Sequence, residues 1–125
     1  MKILHTSDLH AEMMNKLHNK TKIRESFDLW LDTGDFFPDF DGKREKVEVG
    51  QKEWLQERNI LEHMVNWLHG RPFVSVQGNH DFISLVDELR AYGYDNAHEI
   101  TPEGFELLGY KWAGFPNVNW INGSF

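Results

Sequence analysis

Cysteine is absent from this chain of 125 residues, so neither a disulfide nor a thiolate metal site can contribute to its fold or chemistry. Long apolar runs are missing as well. None approaches the roughly 20 residues that a membrane-spanning helix needs. The amino terminus, MKILHTSDLH, is polar by its fifth residue, which is not how a signal peptide reads. A cytoplasmic location is therefore the expectation. Positive charge is scarce: 13 Lys and Arg stand against 20 Asp and Glu, a net charge of −7. That balance disfavours broad electrostatic binding to nucleic acid, although bound divalent cations would offset several of the charges locally. No repeat and no linker is visible.

What is present is an ordinary globular composition, 40% apolar and 26% charged, with five Trp and nine Phe that argue against disorder. The length suits one domain with a core of its own, and residues 1–125 are expected to form it. Residues 2–7 read as a first strand and residues 28–33 as a second. Leu29, Trp30 and Leu31 are consecutive apolar residues, as in a strand covered on both faces. Residues 11–26 suggest a broken or late-starting helix. The stretch from Phe36 to Gly50, with Pro38, an Asp41-Gly42 turn signal and a mixed-charge run, reads as a solvated loop. Residues 51–69 give the clearest helix: Trp54, Leu61, Met64, Val65 and Leu68 recur at three- and four-residue steps, and Gly70, Arg71 and Pro72 stop it. Its Trp and Met stripe reads as core, and His63 and His69 as structural or surface histidines. Residues 73–77 form a third strand, Ser84–Tyr92 a short helix, and 94–100 a further strand. Residues 105–114 look like a hairpin about Gly109. The β-α-β-α-β-α order predicts an α/β layered domain with parallel strands.

The chemistry gathers at three strand ends. The first strand runs into Asp8-Leu9-His10, the second into Gly34-Asp35 and the third into Gly78-Asn79-His80-Asp81. Ligands of open α/β sheets bind beyond the carboxyl ends of the strands, so these polar clusters form a site rather than a surface. Carboxylate oxygen and imidazole nitrogen suit Mn, Fe or Zn. A lone carboxylate after a Gly turn, as at Asp35, can offer its two oxygens to two ions. An Asn79 amide oxygen is a neutral ligand that leaves an ion's charge intact. Two ions roughly 3.5–4 Å apart clamp the attacking and leaving oxygens of a phosphoryl displacement, and His80 can meet the leaving oxygen as acid or donor. Each motif alone is weak; their ordered succession is what carries weight.

In this respect the chain resembles the calcineurin-like metallophosphoesterase superfamily, whose members carry D-x-H, then G-D, then G-N-H-[DE]. The likeness spans roughly residues 2–116. It implies an αββα-type layered fold, of which this chain holds the N-terminal βαβαβ portion and an incomplete second sheet. It also implies two divalent ions (Mn, Fe or Zn), with Asp8 and His10 on the first metal, Asp35 bridging, Asn79 on the second and His80 serving the leaving group. The implied activity is hydrolysis of a phosphate mono- or diester. The alternatives are a catalytically impaired binding or regulatory module, and a nuclease, which the opening MKILHTSDLH supports and the acidic balance opposes.

Two departures from the superfamily pattern stand out. Many members have G-D-x-x-D, whose last Asp orients the catalytic His. Here that place is Pro38; Asp39, one residue late, is the candidate to substitute, which leaves the His–Asp pairing open. The superfamily's later histidine motifs are not found either, since only His98 follows His80. The expected consequence is a domain truncated relative to the family, with a homo-oligomer or a complementary chain supplying the missing imidazoles.

Overall fold

The computed structural model describes residues 1–12 and 26–116, so most of the helix expected over 11–26, and most of the turn-rich tail, lie outside the described residues. Four parallel strands make the principal sheet in the order β1-β2-β3-β4: Ile3–Thr6, Leu29–Asp32, Phe73–Ser75 and Ala97–Glu99. Helices α1 (Arg44–Glu57) and α2 (Ile60–Leu68) lie between β2 and β3 in sequence, and α3 (Leu85–Ala91) lies between β3 and β4. A hairpin, β5 (Phe105–Leu107) and β6 (Tyr110–Trp112), forms the second sheet. Its two turn residues, Leu108 and Gly109, both have positive φ, 53° and 80°, as a tight hairpin turn requires.

Strand alternation sorts the core into two layers. Leu4, Trp30, Phe73 and Ala97 are register partners across all four strands, and all pack with the helical residues Leu55, Ile60, Met64, Leu68, Leu85 and Leu89. Leu29, Leu31 and Val74, whose side chains point the opposite way, meet Ile100 and the hairpin residues Phe105, Leu107 and Trp112. The sheet is thus covered by helices on one face and by the hairpin on the other. That is the layered α/β arrangement expected from the sequence.

The expected loop over 36–50 needs correction, because α1 begins at Arg44. Its buried residues are Val47, Gln51 and Leu55, one residue per turn and one of them polar, so the apolar period was too sparse to read. The single helix expected over 51–69 is two. Asn59 adopts the left-handed conformation (φ 51°) and separates α1 from α2, a conformation that Asn tolerates better than most residues. Ser84 caps α3 by accepting a hydrogen bond from the Asp87 amide. Arg71 closes α2, donating to the carbonyls of Leu68, Trp67 and Phe27 while lying over the Phe27 ring.

Candidate metal centre

All three acid-bearing loops leave the same end of the sheet, after Thr6, Asp32 and Ser75. The first loop is held to the second by backbone bonds. The amides of Asp8, His10 and Ala11 donate to the carbonyls of Gly34, Asp35 and Phe36 at 2.9–3.1 Å. Asp8, His10 and Asp35 all lie in the left-handed region, with φ of 53°, 44° and 56°. A non-glycine residue held there costs on the order of 1 kcal/mol, and such strain persists only where the surroundings impose it.

The surroundings do so from below. Phe36 and Phe37, each 1% exposed, drive their rings into the helix-side core, where both meet Trp54 edge-on at 5.8 and 6.0 Å. Asp81 then fastens the same turn. Its buried carboxylate accepts from the amides of Asp35, Phe36, Phe37 and Gly78 at 2.8–3.2 Å. The second and third loops touch so closely that a Cβ on Gly34 would lie 2.8 Å from Gly78 Cα, and one on Gly78 would collide with the Asp35 carboxylate. Only glycine fits either position.

The outcome is convergence. Asp8, His10 and Asp35 each offer a ligand atom, and the three atoms lie within 4.8 Å of one another. His80 joins them from the third loop: its amide donates to Asp35 Oδ1 at 2.9 Å, and its ring stands edge-on to that of His10 at 5.4 Å. Asn79 occupies the turn between Gly78 and His80 and is half-buried. Asp39, one residue beyond the expected position, nevertheless reaches His80, with Oδ1 2.9 Å from Nδ1. The same oxygen is 3.7 Å from His10 Nδ1, too far for a hydrogen bond. That nitrogen is the one buried side-chain polar atom among the described residues without a hydrogen-bond partner.

Burial acts on the two acids beneath the site. Asp32, wholly buried, is pushed up to about 7 by desolvation, against the lowering effect of hydrogen bonds from Thr6 Oγ1 and the Gly34 amide. Trp30 Nε1 donates to the same Thr6 hydroxyl at 2.9 Å, extending that network into the core. Burial also raises Asp81, against the lowering effect of its backbone donors.

The sequence model of one protein family, calcineurin-like phosphoesterase, matches residues 1–123. The chain belongs to that family. No curated protein matches it. Membership in the calcineurin-like phosphoesterases supports a phosphoesterase-type function on a phosphate ester, and it accords with a candidate site for divalent metal. Among the described residues no helix is long and apolar enough to cross a membrane.

Within this family frame, three residues at the site have roles that the sequence alone does not assign. Asp81 was only the last letter of a motif, although an acid placed directly after a strand-end turn is a candidate to accept that turn's free amides. Asp32, inside an apolar strand, carried the signal of any acid flanked by core residues. Gln51 carried none, since nothing in its neighbourhood marks it as buried. His98, the remaining downstream histidine, pairs with Asn96 and lies against Phe105. Its register row runs through Val74, on the hairpin side of the sheet. Burial lowers its pKa.

Proposed function

We propose that the chain is a metal-dependent phosphoesterase hydrolysing a phosphate mono- or diester at a dinuclear site. Asp8 and His10 would hold one ion, Asp35 would bridge and Asn79 would hold the second, with Mn, Fe or Zn as the candidate metals. The observation that carries the reading is the meeting of Asp8, His10 and Asp35 at the carboxyl ends of β1 and β2. The donor set fits such ions: oxygen and imidazole nitrogen without thiolate, and a buried His10 nitrogen with no hydrogen-bond partner among the described residues. Ions bound there would supply Lewis acidity and counter-charge for a phosphate group.

The chain's own residues do the rest. Asp39 accepts a hydrogen bond from His80 Nδ1–H, so the protonated ring would have its second proton, on Nε2, to give to the leaving oxygen, while Asp39 balances the charge. The His80 amide, donating to Asp35, ties the ring's backbone to the proposed bridging carboxylate. Side-chain exposures of 42% for His80 and 62% for Asp39 leave the pair open to solvent, so a substrate can present its phosphate to it from outside.

The test is hydrolysis of chromogenic phosphate monoesters and diesters by the purified protein with Mn²⁺, Fe²⁺ or Zn²⁺. Asp35→Asn is expected to lower activity by more than about 100-fold, beyond the 10–100-fold typical of residues one shell out from a metal, with the circular dichroism spectrum unchanged. Absence of hydrolysis of both ester classes with every ion, together with no calorimetric binding of Mn²⁺, would overturn the reading.

A further inference from the structure

Gln51 is 0% exposed in the middle of α1, an unusual place for an uncharged polar side chain unless all its bonding capacity is used. Its amide is spent on the two loops that carry His80 and Asp39. Nε2 donates to the His80 carbonyl at 2.8 Å and reaches the Pro38 carbonyl at 3.5 Å, while Oε1 accepts from the Phe82 amide at 2.9 Å. Pro38 immediately precedes Asp39. The side chain therefore grips the backbone on both sides of the 2.9 Å contact between Asp39 and His80.

The neighbouring residue completes the seat. A Cβ on Gly50 would stand 3.0 Å from the Phe40 ring, so the bare backbone at Gly50 is what lets Phe40 lie against the helix. Residues 38–40 are thus placed on α1 by Gly50 and Gln51 together. Asp39 itself is exposed, and an exposed carboxylate has no packing of its own to hold it against a ring.

We propose that Gln51 is a positioning residue that sets the Asp39–His80 pair, acting from inside the helix layer on the backbone of the two loops rather than on the imidazole ring or the carboxylate. The proposal rests on the reading of His80 as the leaving-group residue. It goes beyond that reading by giving the pair's geometry a source that lies outside the three strand-end motifs.

The decisive comparison uses Gln51→Met, Asp39→Asn and the double variant, all in the full chain. The first readout needs no metal and no activity. Long-range proton–nitrogen spectra at a pH where the imidazoles are neutral report which nitrogen of His80 carries the proton. The wild type is expected to hold it on Nδ1, and both single variants are expected to shift toward the Nε2–H form of an unpaired imidazole. The second readout is kinetic. With Mn²⁺ and a chromogenic ester, Gln51→Met is expected to lose about 10–100-fold in kcat with KM within about twofold. The double variant is expected to be no slower than Asp39→Asn alone, since both act on one contact. An unchanged His80 tautomer in Gln51→Met, or a full additional kcat loss in the Asp39→Asn background, would overturn the proposal. Should Gln51→Met not fold, Gln51→Glu keeps the acceptor for Phe82 and is read in the same spectra. A wild type that hydrolyses nothing would defeat the phosphoesterase reading, while the tautomer would still decide the role of Gln51.

Discussion

Asp8, Asp35 and Asp39 face the space beyond the sheet, whereas Asp32 and Asp81 lie beneath them, 0% and 6% exposed. The two sets are the same chemical group in opposite circumstances. Asp81 is met by four backbone amides, and Asp32 by a hydroxyl and an amide. Asp8 and Asp35 instead bring ligand atoms together with His10. Carboxylates surrounded by donors are fasteners; carboxylates gathered near one another are, on the proposed reading, those that take a cation.

The contrast is sharpest at Asp81. Replacing it by Ala strands the amides of Asp35, Phe36, Phe37 and Gly78. At about 1–3 kcal/mol for each buried donor left unsatisfied, with partial rescue by water, the expected loss is at least about 3 kcal/mol, read from urea unfolding. Mn²⁺ affinity measured by calorimetry should fall with it, because the Asp35 turn loses its fastening.

A smaller effect is expected at Asp32, and it depends on pH. The folded protein keeps the Asp32 proton until about pH 7, whereas the unfolded chain releases it near the ordinary value of 3.8. The folded state therefore binds more protons between those values, and stability falls as pH rises from about 4 to about 7. Urea midpoints of the metal-free protein across that range should show the decline. Asp32→Asn should flatten it, by an amount on the order of a few kcal/mol at most.

The smallest effect belongs to the outward set. Asp8→Asn keeps a residue type that accepts φ near 53° and removes one negative charge from a cluster. Its metal-free stability should stay within about 0.5 kcal/mol of the wild type, while calorimetry shows weaker Mn²⁺ binding. An unfolding loss for Asp8→Asn as large as that for Asp81→Ala would erase the distinction between the two sets.

The strand ends were legible because an apolar run that stops at Gly-Asp or Gly-Asn-His-Asp changes chemistry within one residue. The hairpin announced itself through Gly109 in the same way. The α1 helix did not, since a buried Gln51 interrupts the very stripe by which a helix is recognised, and Gly42 and Gly50 read as loop. The partnership of Asp39 with His80 was legible only as an open alternative. Spacing along the chain placed the acid one residue late, but the contact depends on where α1 receives residues 38–40, which no local motif encodes. The role of Asp81 is of the same kind, because its partners lie 44 to 46 residues away in the Asp35 turn and only the fold brings them together.

Among the described residues β1 is an outermost strand, bonded to β2 alone, and it delivers both Asp8 and His10. Two of the three converging side chains therefore hang from the border of the sheet, and a brief fraying of that border would separate them from Asp35 while β2, β3 and β4 stayed paired. The converse also holds. A cation gripped jointly by Asp8, His10 and Asp35 would rivet the border strand to its neighbour, making retention of the ion and integrity of the edge one and the same equilibrium.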